Sequence, residues 1–288
     1  MVRKRKDAQQ VRERRIVLEQ VQALRARLPH LGSYKLWLKL KAPLLAEGIR
    51  IGRDRFLAML RAAGLLLYPR RTYHVKTTNS RHWMKRYPNL IRTMQPTRPY
   101  ELLVADLTYV RVAPQFSYLS LITDAYSHKI VGYAVSDNLS PEGSLQALRM
   151  ALRQRPSTAD GTYAPLTHHS DRGFQYCCYA YTNLLKEHGA AMSMTEKGDP
   201  YENAIAERLN GILKYEFALV DTFRNQAEVC KAVEQAVALY NDERPHMSCN
   251  FLTPTEAHRK QGALLKHWTK RSYRKPEPIT QTCQPISG

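Results

Sequence analysis

The chain of 288 residues contains no apolar run near the ~20 residues of a bilayer-spanning helix. Its start, Met1 to Lys6, is basic with no apolar stretch behind it. Neither a membrane span nor a secretory leader is expected, and the expectation is a cytoplasmic protein. Cysteine is scarce: Cys177, Cys178, Cys230, Cys249 and Cys283 are an odd set of five with no Cys-x-x-Cys. A disulfide framework or a Cys-rich zinc site is therefore not expected. No Gly-x-x-x-x-Gly-Lys loop and no Ser, His and Asp elbow occur, which leaves ATP hydrolysis and acyl transfer without support. Acid is missing from one region in particular. Residues 1–98 hold 24 Lys and Arg against 5 Asp and Glu, whereas residues 99–288 hold 20 of each.

The whole formal excess of +19 thus sits in the first third. Such asymmetry reads as a nucleic-acid-binding module joined to a balanced domain, because the basic residues alternate with apolar ones. Val17, Val21, Leu24 and Leu28 fall at helical spacing, and the helix ends at Pro29. A second helix, Arg53 to Ala63, has Phe56, Leu60 and Ala63 on one face and Arg53, Arg55 and Arg61 elsewhere, with Gly64 as a stop. A turn containing Gly48 and Gly52 precedes it. Residues 1–68 therefore read as a basic helical region resembling a helix-turn-helix, the Arg53 helix reading the groove, or equally as a small bundle with a solvated basic face. Residues 69–99 read as a basic linker. Its Tyr73, His74, His82, Trp83 and Tyr87 are available for stacking on bases or, the safer reading, for packing on the core.

From Leu102 the pattern turns to strands: Leu102 to Val112, Tyr118 to Asp124 and Lys129 to Val135. A helix over 141–153, a strand from Pro165 ending in the acid Asp171, a helix over 181–188, a strand over 190–195, a helix carrying Glu207 and another over 226–240 follow. Strands and helices mixed in one sheet make an α/β domain. Residues 263–288 read as a basic, flexible tail.

Three acids stand out. Asp106 lies inside an apolar run, where an unpartnered carboxylate is costly. Asp171 follows Pro165-Leu166-Thr167-His168-His169-Ser170, and Glu207 lies beyond it with 35 residues between. Together they resemble the Asp, Asp, 35 residues, Glu signature of transposases and retroviral integrases with an RNase H-like core. Asp-Leu-Thr-Tyr-Val at 106–110, His-Ser-Asp-Arg-Gly at 169–173, Glu-Asn-Ala-Ile-Ala-Glu at 202–207 and Tyr-Asn-Asp-Glu-Arg-Pro-His at 240–246 narrow this. These words resemble the second-reading-frame transposases of two-frame bacterial insertion sequences, over about residues 30–260. Leu103 stands where a Trp is common and Glu202 where an Asp is usual. The lack of cysteine before Cys177 sets the chain apart from integrases with an N-terminal zinc domain.

The resemblance implies an RNase H-like integrase core over 100–218, a mixed five-stranded sheet with flanking helices, followed by C-terminal helices over 219–262. It favours a helix at Leu36 to Lys41, stopped near Pro43. It also implies a Mg²⁺-dependent transposase acting on double-stranded DNA, with Asp106 bridging two ions, Asp171 holding one and Glu207 the other; Mn²⁺ is the expected substitute. Two ions about 3.5–4 Å apart activate the nucleophile and stabilise the leaving oxygen. Three acids suffice, because Mg²⁺ takes few ligands from protein. On a helix, Asn203, Asn210, Gly211 and Lys214 share the face of Glu207, whereas Glu202 and Glu216 do not. Asn203, Asn210, Lys214 and Arg172 are therefore candidate DNA contacts. Asp124 and His169 are expected to hold a turn and to pack, and Arg244 and His246 to serve a helix end. The resemblance further implies a circular intermediate, a homo-oligomer on DNA, and a first-frame partner carrying a helix-turn-helix and a leucine zipper. The alternatives are a non-catalytic, transposase-derived repressor and an RNase H-like metal nuclease.

Overall fold

Five strands form one mixed sheet in the order β3-β2-β1-β4-β5. They are β1 (Leu102–Val112), β2 (Gln115–Asp124), β3 (Ile130–Ser136), β4 (Leu166–Ser170) and β5 (Ala190–Met194). The first three make antiparallel hairpins, while β4 and β5 join in parallel through helical crossovers. The computed structural model describes residues 2–68, 82–196 and 200–268. Tyr73, His74 and the tail from residue 269 onward lie outside the described residues.

Alternation along β1 decides which side of the sheet each layer covers. Leu103 and Ala105 join a core with α4 (Pro141–Arg153), α5 (Phe174–Cys177) and α6 (Tyr179–Glu187). Leu102 and Val104 face the other way, against Ala206 of α7 (Ala204–Glu216). Further along the same face, Val110 packs with α7 and α8 (Gln226–Glu243). Helix α4 begins with Pro141 in its first turn and buries Leu145, Leu148 and Leu152. It lies so close to β3 that a Cβ on Gly132 would sit 2.1 Å from the Ala147 carbonyl oxygen, so this position admits only glycine without a shift.

The N-terminal helices α1 (Val2–Arg27), α2 (Ser33–Ala46) and α3 (Arg53–Ala62) bury Val17, Val21, Leu36, Leu40, Phe56 and Leu60 among themselves. Phe217 and Leu239 extend this cluster onto the core. Pro43 does not stop α2, contrary to expectation. Leu36, Leu40 and Leu44 form an i, i+4, i+8 stripe whose last member is fully buried, and that burial, with Ile49 and Ile51 behind it, offsets the proline's lost hydrogen bond. The short α5 was not expected, since four residues carry no period. Strand β2 starts at Gln115 rather than Tyr118 because the hairpin register with β1 runs out to Val112. No helix among the described residues is long and apolar enough to cross a membrane.

Candidate active site

Register brings the first two acids together. Val104 of β1 pairs in parallel with His169 of β4. Two residues further along each chain stand Asp106 and Asp171. With a side-chain period of two and strands about 4.8 Å apart, both lie on the face covered by α7. Glu207, exposed in the first turn of α7, contributes the third charge.

Asp106 feels both neighbours. Burial beneath α7 pushes its carboxyl up to about 8, and the Asp171 and Glu207 carboxylates add to that rise. The Leu107 amide, which donates to Oδ1 at 2.9 Å, and the Asn210 amide, which donates to Oδ2 at 2.7 Å, hold it partly back. Asp171 is fixed by its own loop, the Gly173 N–H donating to Oδ1 at 2.9 Å.

The face of α7 reads as the helical count requires, but its polar groups point at the sheet. Asn210 grips Asp106, and Asn203, which precedes the first residue of the helix, donates from Nδ2 to the Ala105 carbonyl at 3.1 Å. Their carbonyl oxygens are buried with no protein donor. Lys214 lays its ammonium 4.0 Å from the Tyr109 ring centre, where burial lowers its proton affinity and the Asp106 charge opposes that. Glu202 is turned away, accepting from the Glu196 amide at 2.6 Å and from Asn89 at 3.1 Å. Arg172 is half-buried on the Asp171 loop. In the N-terminal helices Arg53 pairs with Asp54 and Arg55 with Glu13, each at 2.9 Å, and Arg61 is exposed.

The remaining candidates are structural. Asp124 accepts from the Tyr100 and Ser127 amides and the Ser127 hydroxyl, closing the turn into β3. His169 is buried and shares a hydrogen with Ser193 Oγ at 2.8 Å. Arg244, 1% exposed, forms a two-pronged pair with Glu216 at 2.7 and 2.6 Å. Sequence could not reveal that bond, because its partners lie on different helices.

The charges of Asp171 and Glu207 both act on Asp106, and carboxylate oxygens are the donors that Mg²⁺ takes. An acid raised by burial and, after that, by like charges is relieved when a divalent ion joins them. Among the described residues the tighter cluster is a different one, His128, His246 and Cys249, with ligand atoms within 4.8 Å of one another. Its two rings stack at 4.2 Å and 13°, and burial lowers the proton affinity of His128, with the Asp124 charge opposing that and Lys266 and Arg244 adding to it.

Comparison with known proteins defines the class first. Residues 96–200 and 188–254 match two models of the integrase core domain. The chain is 38% identical over 230 residues to a Shigella sonnei transposase for insertion sequence element IS629, covering 78% of this chain and 73% of that protein. It is 37% identical to an IS600 protein of Shigella sonnei, over 75% of this chain and 78% of the relative. With a putative IS986/IS6110 transposase of Mycobacterium tuberculosis it shares 32% identity, over 78% of this chain and 80% of the relative. The HTLV-2 integrase catalytic core in complex with magnesium is a solved structure similar to 57% of this chain, at 16% identity and a TM-score of 0.45. The chain belongs to the insertion-sequence transposases with an integrase-like core, and is a DNA transposase.

Proposed function

We propose that this transposase cuts insertion-sequence ends and joins the freed 3′-hydroxyl to another strand with Asp106, Asp171 and Glu207 as its catalytic carboxylates. The observation that carries this reading is the register that sets Asp106 beside Asp171, with the charge of Glu207 reaching Asp106. Asp106, Asp171 and Glu207 would hold a pair of Mg²⁺ ions, with Mn²⁺ able to replace them. When bound, such ions activate the attacking oxygen and neutralise charge on the phosphate.

The chain's other residues position these groups. Asn210 orients the Asp106 carboxylate, and Asn203 ties the start of α7 to β1. Lys214 and Arg172 meet DNA phosphates at the site. Residues 1–68, with Arg53, Arg55 and Arg61, bind end DNA, and the core follows from residue 100. Two ends must be held at once, so the active form is a homo-oligomer on DNA, to which a first-frame partner adds further contacts.

A strand-transfer assay with Mg²⁺ tests the assignment. Asp171→Ala and Glu207→Gln should each lower cleavage and joining about a thousandfold or more, the scale set by losing a metal's charge stabilisation, while gel-shift binding to end DNA persists. Unchanged joining would overturn it. Branched or circular products separate a transposase from a nuclease that only hydrolyses.

A further inference from the structure

Three large aromatic side chains stand out in solvent around the Asp171 loop: Trp83 is 80% exposed, Tyr179 68% and Phe174 41%. They come from separate places, the segment crossing the core before β1, the start of α6 and the start of α5. Trp83 and Tyr179 have ring centres 6.5 Å apart, and Phe174 meets His82 edge-on at 6.3 Å. The backbone beneath them is anchored. His82 Nε2 lies 2.8 Å from the Arg172 carbonyl, the Leu90 amide donates to Ser193 Oγ at 2.8 Å, and the Met194 amide to the Pro88 carbonyl at 3.3 Å. Met84 and Tyr87 turn inward onto the core while Trp83 turns out. A stretch that packs two of its apolar side chains and exposes its largest is not short of core to bury it in.

The surroundings select an occupant. Arg86, Arg172 and Asp171 all act on the thiol of Cys177, which places two guanidinium groups and one of the site's acids beside the same patch. Planar apolar faces interleaved with cations are how proteins hold a strand of nucleic acid without reading its sequence.

We propose that Trp83, Tyr179 and Phe174 form a stacking platform for a nucleobase unpaired from the DNA being processed. The claim rests on the reading of Asp106, Asp171 and Glu207 as the cutting site, and adds that DNA is opened beside it. Seating a base between two rings requires them about 6.8 Å apart, twice the ~3.4 Å rise of stacked bases. Trp83 and Tyr179 nearly meet this and need only turn parallel from their 56° tilt, a motion exposed side chains make in picoseconds to nanoseconds. The base could belong to the insertion-sequence end or to the target, and both offer the same chemistry.

Two measurements on the full chain test this. In the first, 5-iodouracil is placed at each position flanking the cut, in the end duplex or in the target, and irradiated in the bound complex. Crosslinks mapped to Trp83, Tyr179 or Phe174 support the platform and show which DNA supplies the base, even if no joining is seen. Crosslinks from every position that avoid all three overturn it. The second compares paired duplexes with duplexes mispaired next to the cut, in the end or in the target. Trp83→Ala and Tyr179→Ala should join paired DNA about tenfold more slowly, the scale of one base lost from an aromatic ring, and recover on the mispaired duplex, with Trp83→Phe near the original rate. Equal loss on paired and mispaired DNA, or no loss on either, would refute it. Joining by the unaltered protein is a separate result and bears only on the proposed function.

Discussion

Asp106 concentrates the electrostatics of the site in one residue. Its carboxyl is held near 8 by burial and by its acidic neighbours, against 3.8 for the free group. Between those values the folded protein keeps a proton that the unfolded chain has released, so stability falls as pH rises through this window. Binding a divalent ion there must displace that proton, so the ion's effect grows with pH. Without divalent ions, the urea midpoint of the protein should therefore drop from pH 6 to pH 8, and Asp106→Asn should flatten that limb. Added Mg²⁺ should raise the midpoint more at pH 8 than at pH 6. A midpoint independent of both would mean that the three charges do not meet. Asn210 works on the same carboxylate through its 2.7 Å hydrogen bond. Removing a group that orients a metal ligand typically costs 10–100-fold in metal affinity. Asn210→Ala should accordingly require roughly tenfold more Mn²⁺ for half-maximal cleavage, with maximal cleavage better preserved than in Glu207→Gln.

At the scale of elements, α7 is held at both ends. Asn203 and Glu207 open it over β1, and Glu216 closes it in a buried pair with Arg244 at the end of α8. Lys35 of α2 stands 4.0 Å from the same Glu216, and the His30 amide donates to its carbonyl at 3.4 Å. One carboxylate thus joins α7, the C-terminal helices and the N-terminal helices. Removing one partner of such a pair strands a buried charge and costs ~3–5 kcal/mol, whereas replacing both by apolar groups costs less. Urea unfolding of Arg244→Leu should show that loss, and the Arg244→Leu, Glu216→Leu double variant should be the more stable of the two. The pair also marks where sequence stopped being readable. The helix expected over 141–153 and the apolar, β-branched strand over 102–112 are both found with those bounds, because each is marked by its own run of residues. The three acids stood out for another reason, their motif and their 35-residue separation, and Asp171 and Glu207 both act on Asp106 in the fold. Which way Asn203 and Asn210 point, whether Trp83 packs, and what Arg244 binds depend on residues up to about a hundred positions away. No local pattern records them.

Over the whole molecule, charge is divided by task. Residues 99–288 are neutral in total, with 20 acids against 20 Lys and Arg, while the first third carries the full +19. Part of that charge is already spent inside the protein: Arg55 on Glu13, Arg27 on Glu243, and Lys39 on the Glu243 carbonyl. The last two contacts dock the N-terminal helices onto α8, so the basic module is carried by a helix that packs in one core with α7. Arg61 is exposed at the end of α3, and the partner of Arg53 is a neighbour in sequence at the surface, a kind of pair worth little in water. Both are therefore available to phosphate, whereas Arg55 must first leave Glu13. Each lysine or arginine that neutralises a phosphate steepens the salt dependence of binding by about one unit in a plot of log affinity against log salt. Arg53→Gln and Arg61→Gln should each lower that slope by close to one unit for end DNA, and Arg55→Gln by less. Gel shifts over a salt series measure all three. Equal slopes for every variant would place the DNA on another face of this module.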